Sequence, residues 1–270
     1  MMVMDTVYKY CGRWFSVIIT GLVLIFTLAP LVLTAVMSFS DTFFATFPPQ
    51  GFTLKWYAQV LSDWNFLNSV RYSLVLAFSA TIGALLLGVP AAFAITRFHF
   101  TGRDSFKALF LSPLIFPVLI TGVSLLRLFS EMGFRNVPLA MLIGHMIVTT
   151  PYVIRTVSAS LVLADISLEE AARTLGAGRM KTFWQITVPQ ISSGLVAGSL
   201  FAFLVSFDNY AISLWLADAQ HMPVPLMLYR QINVVFDPSV SAMSTLMVLI
   251  ALVMILIMER ATGLRKAVSF

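Results

Sequence analysis

The chain has 270 residues, of which 59% are hydrophobic and only 11% are charged. A soluble domain averages about 45–50% apolar and about 25% charged residues, so this composition excludes an ordinary soluble domain and predicts a protein of the lipid bilayer. The net charge of +5 does not indicate nucleic-acid binding, because the basic residues lie at the ends of apolar segments, where they set topology and contact anionic headgroups. The single cysteine, Cys11, excludes an internal disulfide.

The apolar segments are long enough to cross a bilayer, which takes about 20 residues of helix. The first follows Lys9 and Arg13 as a signal peptide would, but its apolar run is too long for one and no small-residue cleavage site follows. We therefore predict a retained anchor helix and an all-α membrane protein with six transmembrane helices. In chain order, the predicted helices cover approximately residues 14–37, 66–96, 107–129, 138–162, 189–216 and 240–258.

The basic residues also predict the orientation. Most Lys and Arg residues, Arg97 and Arg173 among them, fall on the same side as the N-terminus, whereas the outer loops hold Lys55, Arg135 and Arg230. The positive-inside rule then places both termini in the cytoplasm. The predicted parts are an N-terminal helix with its outer loop (1–65), a core of five helices (66–262) and a cytoplasmic tail (263–270).

Proline and polar residues predict interruptions of this pattern. Residues 54–61 of the first outer loop could form a short interfacial helix, and residues 217–239 are predicted to be an outer loop. Pro113 and Pro117 fall inside the third apolar segment, and proline removes a backbone donor and kinks a helix. The kink could serve packing alone, or it could bend the helix along a transport pathway.

The polar insert at residues 163–188 is unusual in so apolar a chain. Ser167 and Glu170 fit a capping box that begins a helix, and Gly176 fits the turn that ends it. A second short helix then leads to Pro189, which we predict as the first position of the next span. The small side chains of Ala171 and Ala172 would let another backbone approach a helix–turn–helix on the cytoplasmic face. An ordinary amphipathic loop is the alternative.

The insert resembles the EAA signature of the ABC importer permeases, E-A-A-x3-G-x9-I-x-L-P. The chain has Glu170-Ala171-Ala172, Gly176, Ile186 and Val188-Pro189 at this spacing, with Val188 in place of leucine. The resemblance implies the type I importer permease fold and a coupling helix that docks in a groove of a cytoplasmic ATPase. The coupling residues that it implies are Glu169, Glu170, Ala171, Ala172, Arg173, Gly176, Ile186 and Pro189.

The likeness extends over about residues 40–262, where "FPPQGFTLKWY", "SFDNYAISLWLA" and "MPVPLMLY" are similar to the spermidine/putrescine permeases of this family. It implies a subunit in a bacterial inner membrane, with four kinds of partner. These are an ABC ATPase homodimer, a second and different permease subunit, a periplasmic substrate-binding protein and membrane lipids.

No catalytic motif is visible in the chain itself. "GAGRMKT" lacks the glycines that a phosphate-binding Walker A loop requires, so we expect ATP and Mg in the partner ATPase and no cofactor here. No metalloprotease, serine-hydrolase or CxxC motif occurs either. We therefore expect a non-catalytic subunit.

Asp208 is the candidate for contact with a transported solute. A charge at the centre of a membrane helix costs about 2.5–3.5 kcal/mol and usually faces a polar pathway, so Asp208 would be a passing counter-ion for a cation. We predict a substrate pathway formed by Asp208, Asn209, Phe207 and Tyr210. Asp208 could instead be hydrated at the interface, or be paired structurally with Arg71 or Arg127.

Other substrates and other classes of protein remain open from the sequence. Polyamine-type permeases often carry two successive acids where this chain has Asp208-Asn209, so an amino-acid derivative, an opine, thiamine or an aminophosphonate is an alternative to a polyamine. A self-sufficient secondary transporter or channel would need coupling-ion acids and often inverted repeats, and no repeat is visible. His145 is predicted to make an interhelical hydrogen bond.

Overall fold

The structure is a computed structural model that describes residues 2–43, 47–234 and 237–262, and the side chains of residues 15–43, 47–234 and 237–260. In these ranges every regular element is a helix, apart from one isolated bridge between Ser40 and Phe52. The α-helices are α1 Met2–Met37, α2 Lys55–Ser62, α3 Trp64–Arg97, α4 Arg103–Leu111, α5 Val118–Glu131, α6 Val137–Leu163, α7 Ile166–Thr174, α8 Arg179–Thr182, α9 Val188–Gln190, α10 Ser192–Phe207, α11 Tyr210–Leu216, α12 Val224–Val234 and α13 Pro238–Thr262.

Among the described residues, 4 helices are long and apolar enough to cross a membrane, and up to 6 spans result if each of two bent helix pairs counts as one. The continuous candidates are Phe15–Met37, Trp64–Arg97, Val137–Leu163 and Pro238–Arg260. The chain is thus a multi-pass helical membrane protein. The third and fifth predicted spans are not single straight helices. A bend was expected from the prolines of the third span, but not in the fifth.

The third predicted span is broken by its two prolines. Pro113 lies in a 3-10 turn, Ser112–Leu114, and Pro117 is the N-cap of α5. The helices on either side are bent by 102° relative to each other. The kink expected from the prolines is therefore present, but it is close to a right angle. Since α5 has 14 residues and a helix rises about 1.5 Å per residue, α5 alone is shorter than the hydrocarbon core of about 30 Å.

The fifth predicted span also differs from its prediction. Pro189 does not begin it: Pro189 lies in α9, and a bend of 74° at Ile191 separates that segment from α10. Helix α10 then ends at Phe207, and α11 begins at Tyr210. The break between α10 and α11 falls at Asp208 and Asn209, where the sequence predicted a continuous helix.

The chain divides into two compact units, Met1–Asp63 with Gln231–Leu249, and Trp64–Arg230 with Ile250–Phe270. In the second unit, α3, α6 and α10 pack against one another through small residues. A Cβ on Gly198 would lie 2.6 Å from Thr156 Oγ1, and one on Gly88 would lie 2.9 Å from Val153 Cβ. Because lipid offers no hydrophobic drive for helix association, such close backbone approach stabilises the contact.

One helix, α12, was missed from the sequence. The outer segment at residues 217–239 was predicted to be a loop, but it contains α12, with Val224, Pro225 and Leu226 buried. The backbone N–H of Val224 donates to Ser73 Oγ at 2.8 Å, which satisfies a donor at the start of α12. A short helix with one proline just before it and another in its first turn has too weak a pattern to be separated from a loop by periodicity.

In the first unit, α2 confirms the short helix predicted near residues 54–61. Trp56 Nε1 donates to the carbonyl of Ser40 at 2.7 Å, and the hydroxyls of Tyr57 and Ser38 lie 2.6 Å apart. Lys55 Nζ lies 2.7 Å from Asp41 Oδ1. The predicted tail, residues 263–270, lies outside the described residues.

Candidate functional site

The polar insert forms the helix α7, and Asp165 caps its first turn. The Asp165 side chain accepts from the backbone N–H of Ser167 at 2.9 Å, and hydrogen bonds from Ser167 hold the pKa of the Asp165 carboxyl below its usual value. The predicted capping box at Ser167 is wrong, because Ser167 already lies inside the helix. Asp165 is the last residue with extended backbone, φ −74° and ψ 112°, which is the conformation that an N-cap requires.

Gly176 ends α7 as predicted. Its φ is +88°, and a Cβ there would meet nothing within 4 Å, so glycine is needed for its backbone conformation and not for space. The N–H of Gly176 donates to the carbonyl of Arg173 at 2.9 Å, and the N–H of Ala177 donates to that of Ala172 at 3.0 Å. These bonds satisfy the last carbonyls of the helix and turn the chain towards α8.

A buried ion pair fixes α7 to the helical core. Glu169 is only 4% exposed, and its Oε1 accepts from Arg97 NH2 at 3.1 Å. The same Arg97 nitrogen lies 3.5 Å from the carbonyl of Ala164, just after α6. Arg97 is the last residue of α3, so one guanidinium joins α3, the end of α6 and α7. A second cation, Arg173, lies 4.0 Å from Glu169 Oε2.

Two further contacts hold the rest of the insert. Gln190 Oε1 accepts from the N–H of Asp165 at 2.9 Å, which ties α9 to the start of α7. The ring of Phe183 makes an edge contact with that of Phe93 on α3, with centroids 5.7 Å apart. Phe183 begins a π-helical turn, Phe183–Thr187, a local irregularity that often marks a functional segment. The insert is therefore held to α3 and to the end of α6, and its two ends are tied to each other.

The opposite side of the insert is exposed and partly apolar. Glu170 and Ala171 are exposed, while Ala172 and Ile186 are half-buried. The side chain of Leu175, in the turn between α7 and α8, is 89% exposed. Exposed apolar groups flanked by polar ones typically mark an interaction site. The other large apolar residues exposed near this turn are Leu168, Met180 and Trp184.

The structure thus divides the predicted coupling residues into two sets. Glu169 faces the core and anchors the helix, whereas Glu170, Arg173, Gly176 and Pro189 are exposed. The sequence did not identify Arg97, Phe93, Gln190 or Leu175. Arg97 carried one signal, a cation as the last residue of a span, but nothing in the sequence pairs it with an acid 72 residues further on.

The predicted pathway residues lie at the break between α10 and α11. Asp208 is exposed, and its carboxylate has no hydrogen-bond or ion-pair partner in the described ranges. Arg127, one of its proposed structural partners, instead pairs with Glu131 at 2.8 Å. Because Asp208 directly follows the last turn of α10, its charge adds to the negative end of that helix dipole. The carboxylate of Asp208 and the carbonyl end of α10 therefore place negative charge on the α10 side of the break.

The neighbouring residues have different roles. Asn209 is buried and caps α11, its Oδ1 accepting from the N–H of Ile212 at 2.9 Å. Phe207 is 3% exposed and stacks on Phe203 with centroids 5.7 Å apart. Tyr210 is half-buried, with its ring 4.7 Å from that of Tyr229. Asp208 and Tyr210 thus have accessible side chains, while Asn209 and Phe207 shape the break.

His145 bridges the two sides of this break from α6, as the predicted interhelical hydrogen bond. It is fully buried, with Nδ1 2.8 Å from Ser206 Oγ on α10 and Nε2 3.4 Å from Ser213 Oγ on α11. Ser213 donates its own proton to the carbonyl of Asn209 at 2.6 Å. Because this hydroxyl already donates, it can act towards His145 only as an acceptor.

Together these features define a helical membrane protein with a short polar helix, α7, that is anchored to the core on one side and exposed on the other. Its broken helix α10–α11 bears one acid, Asp208, whose carboxylate has no partner among the described residues. The chain belongs to the family of binding-protein-dependent transport system inner membrane components, whose family model matches residues 84–264. This confirms the permease family expected from the EAA signature. Membership of this family favours a subunit of a multi-component transporter over a self-sufficient secondary transporter.

Relatives and solved structures agree with this assignment. The chain is 31% identical over 228 residues to the putrescine transport system permease protein PotI of Escherichia coli strain K12, covering 82% of this chain and 81% of the relative. It is 30% identical over 228 residues to the spermidine/putrescine transport system permease protein PotC of the same strain, covering 84% and 86%. A chain of a bacterial ABC transporter that imports alginate has the same fold, with a TM-score of 0.71 over 92% of this chain and 96% of that chain at 17% identity.

We predict that Arg97→Met releases α7 from the core. Removing one partner of a buried ion pair costs about 3–5 kcal/mol, and Glu169 would keep only the more distant Arg173. In the purified full-length chain, amide hydrogen exchange at residues 165–176 should accelerate, while exchange in the middle of α6 stays slow. Arg155→Met, which removes an exposed cation from α6, is the matched control, and equal exchange in the two variants would contradict the anchoring role.

We also predict that His145→Leu loosens the α10–α11 break. It leaves the buried Ser206 hydroxyl without its partner, at a cost of about 1–3 kcal/mol. The thermal unfolding midpoint should fall by several degrees, and transport should fall with it. His99→Leu, a change at an exposed histidine, should leave the midpoint unchanged. An equal fall in the midpoint of both variants would show that the hydrogen bonds of His145 do not stabilise the α10–α11 break.

Proposed function

We propose that this chain is one transmembrane subunit of a binding-protein-dependent ABC importer. It provides part of the translocation pathway and transmits ATPase movement to it, and it carries out no bond chemistry itself. Its partners would be a cytoplasmic ATPase homodimer that binds ATP and Mg, a second and different permease chain, and a periplasmic substrate-binding protein. Both termini would lie in the cytoplasm.

The observation that carries the proposal is the two-sided construction of α7. One side is fixed to α3 and α6 by the buried Arg97–Glu169 pair, and the other presents Glu170 and Leu175 to a partner. A surface that is exposed and yet rigidly attached can transmit a displacement instead of absorbing it. Closure of the ATPases would move α7, and with it the helices that lead to Asp208.

The solute that fits best is small and cationic or zwitterionic, with a polyamine as the first candidate. Relatives at about 30% identity bear names of putrescine and spermidine systems, and broken membrane helices commonly form solute sites at their half-helix ends. In this chain the break offers one free carboxylate, Asp208, beside the half-buried ring of Tyr210. Such a ring can add a cation–π contact.

We predict that Glu170→Lys abolishes coupling while the chain still inserts into the membrane. The change reverses a charge on the exposed side of α7 without touching the Arg97–Glu169 pair. Co-purification of the ATPase and solute uptake should both be lost. Leu175→Asp should weaken ATPase binding at least about tenfold, because it places a charge where we propose the contact, and loss of a hot-spot residue costs about 2 kcal/mol or more.

Glu131→Lys is the control for Glu170→Lys, because it makes the same change at an exposed glutamate outside the polar insert. Glu131 is the last residue of α5. The Glu131→Lys variant should retain both co-purification of the ATPase and solute uptake. Normal uptake by Glu170→Lys, at normal membrane levels, would remove the main support for the coupling role of α7.

We predict that Asp208→Asn lowers putrescine uptake by about tenfold or more and leaves ATPase association intact. The change removes the only charge at the break that is free to contact a cation, while the helix cap at Asn209 persists. Asp218→Asn is the control, because His221 already binds that outer carboxylate at 3.0 Å. Equal uptake by the two variants would exclude Asp208 from the pathway but would leave the coupling role of α7 untouched.

A further inference from the structure

Helix α4 has a polar cavity at its beginning and an apolar cavity at its end. The polar one has a volume of about 460 Å³ and is lined by His99, Phe100, Gly102, Arg103, Asp104 and Ser105. The apolar one has a volume of about 510 Å³, within the range of about 300–1,000 Å³ that is typical of ligand pockets. It lies between α3, α4 and α6, and its lining includes Leu87, Leu109, Phe110, Ile147 and Pro151.

The orientation of α4 suits the membrane interface. The segment Arg103–Leu114 makes an angle of 102° with α5, so α4 lies near the plane of the membrane when α5 crosses it. Phe106 and Leu109 of this helix are exposed, although they are large and apolar. A short helix with basic residues and exposed aromatic or aliphatic side chains is typical of an element that lies in the headgroup region.

The charges of α4 point to the head of an amphiphile. Arg103 and Lys107 are four residues apart and therefore lie on one helix face. Phe110 follows Lys107 by three residues on the same face and lines the apolar cavity. Arg103 is positioned by its Nε, which donates to the carbonyl of Ile95 at 2.5 Å. Asp104 is the one acid of the polar cavity, so Arg103 and Lys107 together leave the face positive.

We propose that α4 binds one molecule of anionic phospholipid, with its phosphate at Arg103 and Lys107 and an acyl chain in the apolar cavity between α3, α4 and α6. The two cavities lie at opposite ends of a helix of 9 residues, about 13 Å long. A single molecule with an anionic head and a hydrocarbon chain matches both the basic face that Arg103, at the polar cavity, forms with the exposed Lys107 next to it, and the apolar lining of the second cavity. Neither cavity is part of the coupling surface or of the α10–α11 break.

The test is native mass spectrometry of the assembled transporter, with phosphatidylglycerol and phosphatidylcholine of identical acyl chains supplied in turn. The wild-type complex should retain one more phosphatidylglycerol than phosphatidylcholine. Lys107→Gln should reduce that retention about fivefold, the effect of one basic side chain beside an anionic headgroup. Arg260→Gln, which removes an exposed cation outside α4, should not reduce it.

The apolar cavity is tested by a matched pair on α3. Leu87→Trp should fill the cavity and displace the lipid, while Leu86→Trp should not, because Leu86 is an exposed neighbour that does not line it. Equal retention of the two lipids, or equal losses from Lys107→Gln and Arg260→Gln, would overturn the proposal. Release of the second permease chain by Leu87→Trp with phosphatidylglycerol still bound would also overturn it and assign the cavity to subunit contact.

Discussion

The structure depends on one buried ion pair. Arg97 ends a 34-residue helix that crosses the membrane, and Glu169 lies on a 9-residue helix that could not be stable alone. Burying both charges is costly unless they are paired, and the guanidinium of Arg97 meets the carboxylate of Glu169 only when the short helix rests against the long one. Since Arg97 also reaches the carbonyl that follows α6, the surface offered to a partner is attached to two core helices by the same side chain.

The break between α10 and α11 is the second structural feature of the core. Unpaired backbone groups are unfavourable in hydrocarbon, so a break persists only where other groups satisfy it. At the α10–α11 break, the Asn209 side chain caps the new helix, and His145 with two serines bridges the gap from α6. These bonds leave the carboxylate of Asp208 free. A negatively charged side chain is thereby held at a break in an otherwise apolar helix pair, as the proposed cation pathway requires.

The sequence predicted what depends on local pattern. Apolar length located the spans, Gly176 located the turn after α7, and the prolines located the break before α5. It did not predict which of Glu169 and Glu170 is buried, because neighbouring residues on a helix differ by about 100° in direction and only the position of α3 selects between them. The break at Asp208 was missed for a related reason: the flanking residues are strongly apolar, and the bonds from His145 come from a helix about 60 residues earlier.

The turn after α7 is proposed as the contact point for the ATPase. Site-specific photo-crosslinking in intact membranes tests this directly, with the photoreactive residue placed at Leu175 and, in a separate preparation, at Leu128, which is exposed on α5. We predict a crosslink to the ATPase from position 175 that changes in yield with ATP, and none from position 128. A crosslink from position 128, or none from position 175 in an active transporter, would contradict it.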